Sequence, residues 1–147
     1  MPRQSYDAIL NLWRNTTHDL AEVALDKTLG VYEYKALPVF LRREAEAARF
    51  VALVSIHDLT ETRHHKGDAW TNGSIRRALG LRSPEVLLKA HWENEHQFVI
   101  VLSAHPEGYL DKLRAFFHNE GLEVSTSFVP YSGNIIYDHA QAEKRLL

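Results

Sequence analysis

Two runs, Phe50–Ile56 and Phe98–Leu102, are apolar at nearly every position, so an extended chain there needs cover on both faces. They predict two central strands. Leu122, Val124, Thr126 and Phe128 alternate with more polar neighbours and predict a half-exposed strand over residues 122–129. Val31–Tyr34 also has strand composition. Helical spacing marks other stretches. Tyr6, Ile9, Leu10 and Trp13 fall at i, i+3, i+4 and i+7, and Thr16 with Asp19 caps a second helix reaching Gly30. Together they predict an N-terminal helical hairpin over residues 1–30. A further helix begins at Pro38, which suits a first turn, and runs to about Ala48. Tyr109, Leu113 and Phe116 set another ahead of Gly121. After the Ser132-Gly133-Asn134 turn, Ile135–Tyr137 reads as a short strand and Asp138 as the cap of a last helix.

Two segments decide the architecture. From His57 to Gly73 the apolar pattern fails, which predicts a long loop of the kind that usually carries function, followed by a short helix from Ser74 to Leu79. Val86–Glu95 follows Ser83-Pro84, a helix-start signal, and is read as a helix, although Val86, Leu88, Ala90 and Trp92 alternate as a strand would. With a helix there, the predicted strands are separated by helices. The fold class is then α/β, a small mostly parallel or mixed sheet with helices on both faces. With a strand there, the second half becomes β-β-α-β and an α+β ferredoxin-like sandwich is the alternative. The length suits a single globular domain over 1–147, with an α/β core at 31–147.

Composition narrows the class. Hydrophobic residues at 45% and charged residues at 24% belong to a folding chain, not a disordered one. A net charge of -2 supplies no global attraction to nucleic acid or an anionic membrane, so any such contact must be local. The absence of cysteine removes disulfides and thiolate chemistry and fits a reducing compartment. Phe50–Ile56, the longest apolar run, is far below the roughly 20 residues needed to span a bilayer, so the expectation is a cytoplasmic protein without membrane association.

Candidate chemistry centres on nine histidines, six of them between His57 and His105. In a parallel sheet His57, Asp58 and His105 would share the rim at the carboxyl ends of the strands, where two imidazoles and a carboxylate can do acid–base work. His64, His65 and Asp68 offer ligands of the types that hold a divalent metal, without diagnostic spacing. Ser74 would begin a helix whose free N–H groups face an anion, beside Arg76, Arg77 and Arg82, with Trp70 as a stacking surface for a base. Three functions follow. The first is a binding or regulatory domain for a phosphorylated ligand, nucleotide or nucleic acid. The second is a histidine-based phosphoester hydrolase using His57, Asp58 and His105, with a metal at His64 and His65. The third is an interaction module that joins copies of the chain into a homo-oligomer.

Overall fold

The computed structural model describes residues 25–26 and 29–146. Along the chain run β1 (Leu25–Asp26), β2 (Val31–Glu33), α1 (Leu37–Glu44), β3 (Phe50–Ile56), α2 (Leu59–Lys66) and α3 (Asp68–Leu79). They are followed by β4 (Val86–His91), β5 (Gln97–Leu102), α4 (Glu107–Asn119), β6 (Val124–Pro130) and α5 (Ile135–Leu146). The strands form one mixed sheet in the order β1-β2-β4-β5-β3-β6, in which β2 and β4 are parallel and the other neighbours antiparallel.

The two all-apolar runs take the central positions their composition demands. On β3 and β5, Ala52, Val54, Phe98 and Ile100 face a core built from Ile75 and Leu79 of α3 and Leu113 and Phe117 of α4. Val51, Leu53, Val99 and Val101 face the opposite core, with Leu37 and Leu41 of α1 and Ala142 of α5. Helices therefore cover both faces of the sheet, as an α/β fold requires.

Val86–His91 is a strand, against the helix expected there. It pairs antiparallel with β5, and Leu88 and Ala90 are buried on one side. Pairing with a fully buried neighbour outweighs a weak helical propensity. The Ser83 hydroxyl bonds the Glu85 carboxylate instead of capping a helix. On the other side of β4, the half-buried Lys89 ammonium donates to the carbonyls of Leu79 and Leu81 (2.7 Å to the latter), closing the end of α3. The second half is thus the β-β-α-β arrangement of the alternative, and β5 and β6 both run antiparallel to β3 rather than parallel to it.

The loop expected from His57 to Gly73 is instead largely helical, in α2 and the first half of α3. Hydropathy misses it because α3 buries two hydroxyl residues, Thr71 and Ser74, in the same stripe as Ile75, Ala78 and Leu79. The Thr71 hydroxyl donates to Gly67 O at 2.8 Å, so its polar atom is satisfied inside the helix. At the chain end, Ile135–Tyr137 belongs to α5 and is not a strand. Asn134 Oδ1 accepts the N–H groups of Ile136 (3.1 Å) and Tyr137 (3.2 Å), which makes Asn134 the cap in place of Asp138. Asp138 is buried and accepts the Ser132 N–H at 3.0 Å.

Most of the helical hairpin expected over residues 1–30 lies outside the described residues. Within them, Leu25–Asp26 is extended and pairs with Val31–Tyr32, and Gly30 turns the chain at φ +74. That pairing replaces the end of the second expected helix. No helix among the described residues is long and apolar enough to cross a membrane.

Candidate functional site

β6 ends the sheet, and α4 and α5 pack against it from opposite faces. Between them a cleft of about 440 Å³ follows the outer edge of the strand, a volume that suits a small-molecule ligand. Glu107, Leu110, Asp111 and Arg114 come from α4, Thr126, Ser127 and Phe128 from β6, and Arg145 from α5.

Strand pairing sets what the cleft sees. The Tyr131 N–H donates to Arg49 O (2.9 Å) and the His57 N–H to Glu123 O (2.8 Å), so odd-numbered residues turn their backbone groups toward β3. The backbone of Thr126 and Phe128 faces outward. Arg145 Nη1 donates to Phe128 O at 2.8 Å, and Arg114 Nη1 donates to Thr126 Oγ1 at 2.5 Å while its Nη2 bonds Asp111. Each guanidinium carries five N–H donors, more than these acceptors use. Ser127 Oγ donates to Ala142 O at 2.5 Å and ties β6 to α5.

His105 packs edge-on against Phe128 and Phe50, with ring centroids 4.9 and 5.3 Å away. His57 and Asp58 are elsewhere. Because β3 and β5 are antiparallel, the residues that follow their carboxyl ends emerge at opposite ends of the sheet, separated by the length of a seven-residue strand, about 20 Å. The shared rim expected from parallel strands does not form. His57 Nε2 lies 2.5 Å from Ser125 Oγ, and Asp58 takes a left-handed backbone, φ 53, at the start of α2.

His64 and His65 sit side by side on α2 with ring centroids 5.5 Å apart, and Asp68 faces Arg63 at 3.4 Å. Among the described residues no group of three or more His, Asp or Glu side chains is placed to hold a metal ion. The expected anion site is also rearranged. Ser74 lies inside α3 instead of at its N-terminus, is fully buried, and accepts Arg77 Nη2 at 3.3 Å. Arg77 forks onto Glu120 at 3.0 and 2.9 Å, and that hydrogen bonding holds the Glu120 carboxyl below its usual range. Arg76 and Arg82 are exposed. Trp70 has Lys66 Nζ 5.7 Å from its ring centroid.

The sequence matches no family model and no curated protein. Solved structures are similar in fold. The coiled coil and GGDEF domain of DgcB from Caulobacter crescentus, in complex with c-di-GMP, superposes with a TM-score of 0.69 at 14% identity, covering 97% of this chain and 88% of that one. The chain has a GGDEF-like fold. The diguanylate cyclase SiaD from Pseudomonas aeruginosa, in complex with its activator SiaC, gives 0.63 at 13% identity over 97% of this chain and 66% of that one. The S helix-GGDEF-EAL structure of Vibrio cholerae LapD, bound to c-di-GMP, gives 0.56 at 15% identity over 82% of this chain and 32% of that one. The residue run Gly-Gly-Asp-Glu-Phe occurs nowhere in this sequence.

Sequence reasoning missed Arg114 and Arg145. They are 31 residues apart on different helices, and only the edge strand between those helices brings both to one cleft. The signal available was indirect. Ser125, Thr126 and Ser127 are the polar positions of the strand read as half-exposed, and on it Arg114 bonds the Thr126 hydroxyl and Arg145 the Phe128 carbonyl.

Proposed function

We propose that this chain is a small α/β regulatory domain that binds a phosphorylated ligand of the nucleotide class in the cleft along β6. The observation that carries the reading is the pair of guanidinium groups, Arg114 and Arg145, held at one cleft by contacts to the same edge strand. Planar guanidinium forks match phosphate oxygens, and their fixed positions reduce the ordering cost of binding. The fold supports the choice of ligand class, since DgcB and LapD share it and were captured with c-di-GMP. The proposal concerns ligand binding alone, because likeness of fold does not carry an activity. Glu107 and Asp111 line the same cleft and would disfavour a ligand whose charge is not directed at the arginines.

Calorimetric titration with c-di-GMP, GTP and GMP tests this. At least one should bind, more weakly as salt rises, and Arg114→Gln or Arg145→Gln should each weaken it about tenfold, the scale of one charge-assisted hydrogen bond. Binding that ignores both substitutions, or no binding by any of the three, overturns the reading.

A further inference from the structure

A second cavity, of about 160 Å³, opens where the parallel strands β2 and β4 end together, with Glu33 in register with His91. The next residue on each strand is aromatic. Tyr34 and Trp92 face one another with ring centroids 5.9 Å apart and planes tilted by 50°. Among the described residues Glu33, Glu93 and Glu95 stand around the same space, and Lys35 and His91 also line it.

The indole is held in place from behind. His139 stacks on Trp92, its Nε2 lies 2.9 Å from Gln97 Oε1, and Gln97 Nε2 donates to Glu143 at 3.1 Å. Asn94 Nδ2 donates to the same Gln97 oxygen at 2.8 Å, so the hairpin that carries Trp92 is tied into the network.

We propose that this cavity binds an alkylammonium group. Aromatic faces attract a cation through their quadrupole, and a preformed pair of rings costs little to order. The carboxylates supply counter-charge and make the space hostile to anions, which separates it from the cleft along β6. Its volume is well below that of pockets for nucleotide-sized ligands and fits a compact head group. A free quaternary amine and a methylated lysine side chain of a partner present the same chemistry.

Both sources can be offered to the full chain while the Trp92 indole N–H is followed by NMR. The probes are choline and a short peptide with one trimethyllysine, and 3,3-dimethyl-1-butanol is the uncharged analogue of choline. At least one cation should shift the Trp92 signal and the neutral analogue should not. Choline alone would identify a free amine as the ligand, and the peptide alone a partner side chain. Tyr34→Ala, or Glu93→Gln with Glu95→Gln, should weaken binding about tenfold, the order of one cation–π contact. Tyr34→Phe, which keeps the ring, should retain binding, and Lys35→Ala should tighten it. A Trp92 signal unmoved by both cations at millimolar concentration, or moved equally by the neutral analogue, overturns the proposal. Neither outcome bears on nucleotide binding at β6.

Discussion

The imidazole of His139 lies flat on the indole of Trp92, with centroids 4.0 Å apart and planes within 7° of parallel, and joins α5 to the hairpin between β4 and β5. Burial lowers the pKa of this imidazole below its ordinary 6.5, against an upward pull from Glu143 and Glu93. The unfolded chain therefore binds this proton at higher pH than the folded one. Above pH 6.5 both forms are neutral at this site, and stability is lost as pH falls from there through the folded pKa. Thermal unfolding followed from pH 8 to pH 5 should show Tm falling below about 6.5, with a smaller drop in His139→Gln. An identical drop in the variant would remove His139 as its source.

Asp58 is the one non-glycine residue among those described with positive φ, at 53°. Its substitutions should rank by backbone tolerance and not by polarity. Asp58→Gly is expected to stay within about 1 kcal/mol of the parent, whereas Asp58→Val should cost about 1–2 kcal/mol in urea unfolding. The reverse order would mean that the carboxylate, and not the left-handed turn, matters at this position.

Leu113 and Arg114 are neighbours on α4 with opposite fates. Leu113 is fully buried against the sheet, so Leu113→Ala should lose about 2–5 kcal/mol of stability. Arg114 points into the cleft with nearly half of its side chain exposed, and Arg114→Ala should change stability little while weakening nucleotide binding. Unfolding curves and titrations on the two variants separate packing from recognition.

Arg76 and Arg77, the densest positive pair near Ser74, should be silent in nucleotide binding. Arg77 is committed to Glu120, and Ser74 is sealed inside α3. The double variant Arg76→Ala with Arg77→Ala should bind within about twofold of the parent, under 0.5 kcal/mol. A loss as large as that of Arg145→Gln would move the site to α3.

β3 and β5 were legible because a strand covered on both faces favours apolar residues at nearly every position, with Ser55 and Gln97 near the strand ends as the exceptions. β4 was not, because Leu88 and Ala90 fit a helix or a strand equally and only the neighbouring β5 decides between them. α2 was hidden by composition, since Leu59 is the only core residue it buries. The misplaced strand direction carried over to the site. Once Val86–His91 turned the chain back, His57 and His105 were parted, and the arginines that do converge had no local pattern to reveal them.

The central strand waits for a late partner. β3 is completed on one side by β6, whose pairing joins Phe50 to Pro130 and Ile56 to Val124 across most of the core. Contacts so distant in sequence are formed at the cost of closing a long loop, which slows folding. During synthesis Phe50–Ile56 leaves the ribosome well before the strand that shields its edge. Until residues 124–130 arrive, its backbone donors and acceptors are open to any extended chain nearby. Truncation ahead of β6 should therefore yield aggregation rather than a smaller folded unit.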